Sequence, residues 1–111
     1  MDFAELVRKN RTYRRFDQTF SISKPTLSAL VDLARLTPSA RNAQPLKYAL
    51  FCDAETNAKI FPTLAWAGYL TDWPGPVEGE RPTAYIIVLG DKEIAQNFNI
   101  DPGIAVQTIL L

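Results

Sequence analysis

Apolar side chains recur at helical spacing in several stretches of the chain. Residues 2–9 place their apolar side chains on one face, which predicts a short amphipathic helix. Ser23 followed by Pro25 is a helix-start sequence, and apolar positions three and four residues apart extend the predicted helix to about Leu36. A further helix is predicted over residues 55–61, where it is interrupted by a proline.

Two short apolar runs, residues 48–51 and 84–89, predict β-strands. The second run is apolar on both faces, which predicts a central strand covered by helices. Between the two runs lie an aromatic stretch at residues 64–70 and a loop rich in proline and glycine at residues 73–82. This mixture of helices and strands predicts a layered α+β or α/β domain.

The chain ends in a strongly apolar helical pattern. Asp101 followed by Pro102 predicts a helix start, with the aspartate as N-cap and the proline at the first helical position. The residues that follow, as far as Leu111, are apolar over much of the helix circumference, and no glycine, lysine or arginine closes the helix. We therefore expect residues 1–111 to be one domain, and to be the front part of a longer chain cut within a central buried helix.

The composition excludes several classes of function. Hydrophobic residues make up 47% and charged residues 22%, as in ordinary globular proteins, and the formal net charge is zero. Zero net charge argues against general binding to nucleic acid or to anionic membranes. No apolar run reaches the ~20 residues of a membrane helix, and the first residues lack the features of a signal peptide, so the expected compartment is the cytoplasm. One cysteine and no histidine argue against an internal disulfide and a zinc site.

A polar loop, residues 37–45, lies between the second predicted helix and the first predicted strand. It contains two prolines that restrict the backbone, and no large apolar side chain. Ser39, Asn42 and Gln44 can each donate and accept hydrogen bonds. By itself such a loop is typical of a rigid surface connection, and a shaped binding site is the alternative.

A basic segment, residues 10–16, follows the first predicted helix. Five of the twelve basic residues of the chain lie between Arg8 and Arg15. The planar guanidinium group suits phosphate, and the hydroxyl of Thr12 or a backbone N–H can complete an anion site. A solvated basic face, a site for a phosphate-bearing ligand and a nucleic-acid-binding arm all fit this cluster. The absence of a second basic stripe weakens the nucleic-acid hypothesis.

The order of the two segments is more specific than either alone. The basic segment, then a capped helix, then Pro-Ser-Ala-Arg-Asn-Ala-Gln-Pro at residues 38–45 leading into a strand, resembles the front half of the FMN-dependent nitroreductase family. Residues 78–88 and 101–111 are similar to the central strand region and the central helix of its smaller members. The resemblance implies an α+β, nitroreductase-like layered fold with a central, mainly antiparallel sheet flanked by helices.

The resemblance implies that residues Arg11, Thr12, Tyr13 and Arg14 bind FMN. Arg11, Thr12 and Arg14 match the family positions that hold the phosphate, the ribityl chain and the pyrimidine edge. A basic residue common in the family is replaced here by Asn10. In the second segment, the resemblance assigns to cofactor binding a set of loop residues that reach the flavin of the partner subunit: Pro38, Ser39, Ala40, Asn42 and Gln44. A homodimer with two composite FMN sites is therefore expected.

The function implied by the resemblance is that of an NAD(P)H-dependent flavin oxidoreductase. A hydride passes from NAD(P)H through FMN to a nitroaromatic, quinone or similar acceptor by a ping-pong scheme, and no side chain is needed as nucleophile or general base. Two other classes stay open at this point: a catalytically silent nucleotide- or partner-binding fragment of the same scaffold, and a basic-arm nucleic-acid-binding domain.

Three aromatic residues and two glutamates are further candidates for the site. Trp66, Tyr69 and Trp73 could line a flavin or substrate pocket, although packing is the commoner role of aromatic residues near a core. Glu78 and Glu80 are flanked by glycine, arginine and proline, so we expect them to be solvated on a loop rather than to act as an acid–base pair.

Overall fold

The structure is a computed structural model that describes every residue from Met1 to Leu111. The elements follow one another as α1 (Phe3–Lys9), α2 (Lys24–Ala34), a 3₁₀ turn (Ala40–Asn42), β1 (Leu46–Phe51), α3 (Ala54–Ile60), a second 3₁₀ turn (Phe61–Thr63), β2 (Tyr85–Gly90) and α4 (Asp101–Leu110). All the predicted helices and strands are present, with ends that differ by one or two residues. None of the helices is both long and apolar enough to cross a bilayer.

The first three helices each begin at a side chain that accepts a backbone N–H. Asp2, Ser23 and Asp53 are the N-caps of α1, α2 and α3, and each accepts from the residue three positions later. The cap predicted at Ser23 is confirmed. These local hydrogen bonds explain why the sequence locates the helix starts well.

The start of α4 differs from its prediction. The helix begins where expected, but the N-cap is Ile100, and Asp101 is the first helical residue. The carboxylate of Asp101 does not cap its own helix; it accepts hydrogen bonds from Ser39 and Ala40 in the polar loop. The N-cap prediction for Asp101 is therefore wrong, because donors brought close by the tertiary fold replace the local ones.

The sheet has two antiparallel strands. In its register Leu46 lies opposite Gly90 and Phe51 opposite Tyr85. β2 pairs only with β1, and Ile87 and Leu89 on it are 38% and 50% exposed. The antiparallel sheet is as expected, but the prediction that β2 is covered on both faces is wrong within this chain, since no second strand or helix covers these side chains.

The core is small and lies where α2 packs against α4 and β1. Seven of the 111 residues are buried, among them Leu27, Ala34 and Ala105. The accessible surface is 8384 Å² for 12.4 kDa, whereas a compact monomer of this mass exposes about 6,100 Å². This arrangement therefore leaves far more surface in water than a compact monomer does.

An aromatic cluster supports the proline- and glycine-rich loop. The ring of Trp66 packs against Phe61 with 5.9 Å between centroids, and makes edge contacts with Phe16 at 6.5 Å and Trp73 at 6.3 Å. Gly75 approaches the indole of Trp66 closely. The packing alternative is therefore correct for Trp66, and Phe16 joins the basic segment to this cluster.

The approach of Gly75 to Trp66 gives a test of the fold. Gly75 has a φ of +113°, and a Cβ built there would lie 2.6 Å from the indole Cδ1. We expect Gly75→Ala to lower the free energy of unfolding by about 2 kcal/mol or more, because backbone strain and displacement of the indole both oppose the methyl group.

Gly68→Ala is the matched control, since nothing lies within 4 Å of a Cβ at that position. Its effect should stay within about 0.5 kcal/mol. Urea unfolding curves measure both, and equal midpoints for the two variants would contradict the packing described here.

Candidate functional site

Three of the residues predicted to bind a cofactor line one open cavity. Thr12, Tyr13 and Arg14 form one wall, together with Arg15, and residues 69–73 form the other. The cavity measures about 750 Å³, within the usual range of about 300–1,000 Å³ for small-molecule sites. Arg11, the fourth predicted residue, is not among these lining residues; its Nη1 donates to the backbone carbonyl of Asn10 at 2.7 Å.

The polar groups on this wall are free to bind a ligand. Among the basic residues between Arg8 and Arg15, only Arg15 forms an ion pair. The guanidinium group of Arg14 and the hydroxyls of Thr12 and Tyr13 make no hydrogen bond within the chain. Asp72 on the facing wall is the one carboxylate that lines the cavity. A positive, donor-rich wall therefore faces a mixed wall that contains two aromatic side chains, Tyr69 and Trp73.

Tyr69 and Trp73 were both candidates either for lining a pocket or for packing in the core. Both line the cavity, and Tyr69 is fully exposed at 103% of its reference area. Trp73 also packs on Trp66. Trp73 therefore serves packing and cavity wall at once, whereas Tyr69 belongs to the cavity alone.

The ion pair between Arg15 and Glu80 attaches the basic segment to the proline- and glycine-rich loop. Nε and Nη2 of Arg15 donate to the two carboxylate oxygens of Glu80, the second at 2.9 Å, and the N–H of Phe16 donates to the Glu80 carbonyl at 2.8 Å. This bidentate hydrogen bonding raises the pKa of Arg15 and lowers the pKa of Glu80. The expectation that Glu80 is merely solvated is wrong.

Gln18 extends the same attachment. Its Oε1 accepts from the backbone N–H of Gly79 at 2.7 Å and of Arg81 at 3.1 Å, while its Nε2 donates to Glu78 at 3.0 Å. Glu78 stays exposed but pairs with Arg81 at 2.8 Å. Both glutamates are thus held by cations, and neither is placed as a general acid or base.

The polar loop has an unusual backbone. Arg41, Asn42 and Gln44 have φ values of +57°, +52° and +53°. For residues other than glycine, the left-handed region costs roughly 1–2 kcal/mol per residue. Such strain is found where surrounding contacts over-determine the conformation, commonly at binding sites.

Hydrogen bonds within the loop fix its shape. The N–H of Asn42 donates to the Ser39 carbonyl at 2.9 Å, and the N–H of Gln44 donates to the Ser39 hydroxyl at 2.9 Å. The side-chain amide of Gln44 donates to that of Asn42 at 2.9 Å. The Asn42 amide nitrogen and the Gln44 amide oxygen have no partner in the chain, and both side chains are exposed. The two amides are therefore available to a ligand.

Asp101 attaches this loop to α4. Its carboxylate is 4% exposed and accepts from the N–H of Ala40 at 3.0 Å and from the Ser39 hydroxyl. The bond from Ala40, followed by that from Ser39, lowers the pKa of Asp101. Ser39 thus donates its only hydroxyl proton to Asp101, which leaves that oxygen only as an acceptor for a ligand. This role could not be predicted from the sequence, because the only local pattern at Asp101 is that of a helix cap.

The two predicted segments line different cavities of the chain. Pro38, Ser39 and Gln44 line a cavity of about 200 Å³ that includes Asp101, and Ala40 lines another of about 880 Å³. Neither of these contains a residue of the basic segment. Within one chain, therefore, the structure does not bring all the predicted cofactor-binding residues together.

Comparison with known sequences identifies the family. A model of the Nitroreductase family matches residues 7–111. The protein YdgI of Bacillus subtilis (strain 168), which carries the name NAD(P)H nitroreductase, is 31% identical over 61 residues, covering 55% of this chain and 29% of that protein.

Solved structures share the fold. A nitroreductase from Exiguobacterium sibiricum 255-15 in complex with FMN is 29% identical with a TM-score of 0.61, over 100% of this chain and 49% of its own. A nitroreductase family protein from Clostridium difficile 630 is 24% identical with a TM-score of 0.68, and the match covers 99% of this chain and 60% of that protein. An NADH dehydrogenase/NAD(P)H nitroreductase from Parabacteroides distasonis ATCC 8503 is 19% identical with a TM-score of 0.73, over 96% and 58%.

This chain thus spans less than two thirds of the length of these relatives. The structural matches confirm the expected nitroreductase-like α+β fold. Together with the family match over nearly the whole sequence, they show that this chain belongs to the Nitroreductase family.

Proposed function

We propose that this chain carries the FMN-binding segments of an NAD(P)H-dependent flavin oxidoreductase. The observation that carries the proposal is the free guanidinium group of Arg14 on a cavity wall, beside the unpartnered hydroxyls of Thr12 and Tyr13. Anionic ligands with many acceptor oxygens fit such a wall. The FMN bound to the similar Exiguobacterium protein makes this nucleotide the first candidate.

Different residues are proposed to bind different parts of FMN. Arg11 and Thr12 are proposed to bind the phosphate and the ribityl chain, and Arg14 the pyrimidine edge of the ring. Arg11 has N–H donors left after its bond to Asn10, because a guanidinium group carries five. The facing wall, which contains Tyr69 and Trp73, is suited to flat rings.

FMN bound here would supply the redox chemistry, which is ping-pong transfer of a hydride from NAD(P)H to a nitroaromatic, quinone or similar acceptor. The residues of this chain would bind and orient the cofactor, and the positive charge of Arg14 would stabilise the negative charge that the flavin gains on reduction. No acid–base residue is needed, which agrees with the engagement of Glu78 and Glu80 in ion pairs.

We infer further that the polar loop serves the FMN site of a partner subunit in a cytoplasmic homodimer. Pro38, Ser39, Ala40, Asn42 and Gln44 are the proposed contributors. The separation of the loop from the Arg14 cavity within one chain supports this assignment. The large exposed surface of 8384 Å², which an interface would reduce, supports it as well.

The test of the proposed function is the absorbance spectrum of the purified protein, with and without NADPH, together with its mass in solution. A yellow protein that bleaches with NADPH and has twice the chain mass agrees with the proposal. Bound flavin that NADPH does not bleach would instead identify a catalytically silent scaffold. A colourless protein that also takes up no added FMN would contradict the proposal. Salt-sensitive binding to DNA by such a protein would favour the basic-arm alternative.

Arg14→Ala should weaken FMN binding by about 10- to 100-fold, because the charged hydrogen bonds of one guanidinium group are lost. It should also slow reduction by NADPH. Arg8→Ala is the matched control: Arg8 is an exposed arginine of the same basic cluster, in the last turn of α1, and is absent from the cavity wall. Its effect should stay below about fivefold. Flavin fluorescence titration measures both, and equal losses would mean that only general charge matters.

Glu80→Gln should loosen the basic segment, because Arg15 loses its bidentate carboxylate. We expect faster amide exchange at Phe16, whose N–H donates to the Glu80 carbonyl, and weaker FMN binding. Glu78→Gln is the control, since Glu78 pairs with Arg81 and Gln18 but not with Arg15.

Lowering the pH should have the same effect on the basic segment as Glu80→Gln, because protonation also removes the charge of Glu80. The pKa of Glu80 is lowered in the folded state, so its contribution is present above its unfolded pKa and disappears as pH falls through the lower folded value. Protection of Phe16 should therefore persist at neutral pH and fall below about pH 4 in the unaltered protein. Exchange at Phe16 that is the same in Glu80→Gln as in the unaltered protein at pH 7 would show that the ion pair does not hold the segment.

A further inference from the structure

Two long-range attachments hold the polar loop against the rest of the fold. At its end, the carbonyl of Pro45, a fully buried residue, accepts from the N–H of Asp91 at 2.8 Å. Nearer its start, Ser39 and Ala40 donate to Asp101. The other hydrogen bonds of the loop join residues two to five positions apart, so they determine its local shape but do not connect it to elements distant in the chain. The left-handed residues Arg41, Asn42 and Gln44 lie between these two attachments, and Asp101 is the attachment on their N-terminal side.

The hydrogen bonds of Asp101 continue into the loop. The Ser39 hydroxyl donates to Asp101, and its lone pair accepts from the N–H of Gln44. Gln44 in turn donates from its side-chain amide to Asn42. The carboxylate is thus linked through Ser39 to the backbone N–H of Gln44, and a separate hydrogen bond joins the side-chain amides of Gln44 and Asn42. The direction of the first two bonds is fixed, because the hydroxyl has a single proton and gives it to Asp101.

We propose that Asp101 is a positioning residue: through Ser39 it holds the amides of Asn42 and Gln44 in the orientation that binds a flavin ring. This inference rests on the proposed function for the identity of the ligand. The chemistry fits, since a flavin pyrimidine edge offers carbonyl acceptors and a ring N–H donor, while the loop offers the Asn42 amide nitrogen and the Gln44 amide oxygen. The ionised carboxylate is essential because both of its partners act as donors.

Other charged groups lie near this carboxylate. The cavities that Asp101 lines also contain Arg35 after α2, Arg41 in the loop, Tyr48 on β1, and Lys92 and Glu93 before α4. Burial, followed by the negative charge of Asp101, raises the pKa of Tyr48, so it stays neutral at physiological pH. Glu93 is the other carboxylate among these groups, and Glu93→Gln distinguishes the effect of its charge from that of Asp101.

Asp101→Asn tests the proposal with little change of shape. Ser39 donates to Oδ2 of Asp101 and Ala40 to Oδ1, and asparagine has an oxygen at only one of these two positions and an NH₂ donor at the other, so one of the two bonds is lost. In the flavin-free protein we expect amide exchange at Ala40 and Gln44 to rise by about tenfold or more, with α1 and β1 unchanged. FMN binding should weaken by a similar factor. Asp32→Asn is the control, because Asp32 forms an exposed pair with Arg35 on α2.

Ser39 variants distinguish positioning from a general loss of stability, and remain informative if Asp101→Asn folds poorly. Ser39→Ala should weaken FMN binding, and Ser39→Thr, which keeps the hydroxyl, should restore it. Adding Asp101→Asn to Ser39→Ala should weaken binding by much less than Asp101→Asn does alone, because the serine link is already absent. Fully additive losses would overturn the proposed route through Ser39.

Amide exchange and FMN affinity together distinguish two roles of Asp101: attaching the loop and positioning its amides for FMN. Unchanged exchange at Ala40 and Gln44 in Asp101→Asn would overturn the attachment itself, whether or not the protein binds flavin. Faster exchange with unchanged FMN affinity would make Asp101 structural only and overturn the positioning role. If the unaltered protein binds no FMN, the proposed function fails and the positioning role with it, while exchange still decides whether Asp101 holds the loop.

Discussion

The packing of α2 against α4 is the constraint on which the rest of the structure depends. Each helix has an almost fully buried alanine, Ala34 at the end of α2 and Ala105 near the start of α4. Small side chains let helix axes approach closely. Because the polar loop leaves α2 just after Ala34, and Asp101 lies one turn before Ala105, this packing brings the loop and the carboxylate together. A larger side chain at either alanine would separate the partners of the loop before it disturbed the loop itself.

Two carboxylates organise the two candidate binding segments in different ways. Glu80 holds the basic segment from the surface, where water and salt screen the ion pair with Arg15. Asp101 holds the polar loop from a buried position, where an unpaired carboxylate would be costly. The residues with free polar atoms, such as Arg14 and Asn42, are not held directly by either. The residues proposed to contact the ligand, such as Arg14 and Asn42, are thus distant in sequence from the two carboxylates, Glu80 and Asp101, that hold their segments in place.

The sequence predicted the structural features that depend on residues close together in the chain. The helix start at Ser23 and the two strands were predicted to within two residues, because caps and apolar runs are local features. It did not predict the pairing of Arg15 with Glu80 or of Ser39 with Asp101. These partners lie more than sixty residues apart, and such pairs leave no periodic trace. Nor could the exposed face of β2 be predicted, since an apolar composition predicts that a strand is buried but does not indicate which structural element packs against it.

The aromatic cluster has a consequence for optical studies of this protein. Its two tryptophans, Trp66 and Trp73, lie 6.3 Å apart in that cluster, and Trp73 also forms part of the cavity wall beside Arg14. Emission that is excited selectively at tryptophan therefore arises at one place, in and beside the wall of the candidate cavity. A bound ring that absorbs at the wavelength of this emission would quench it by energy transfer at such short range. Loss of tryptophan emission would thus indicate an occupied cavity without any added label.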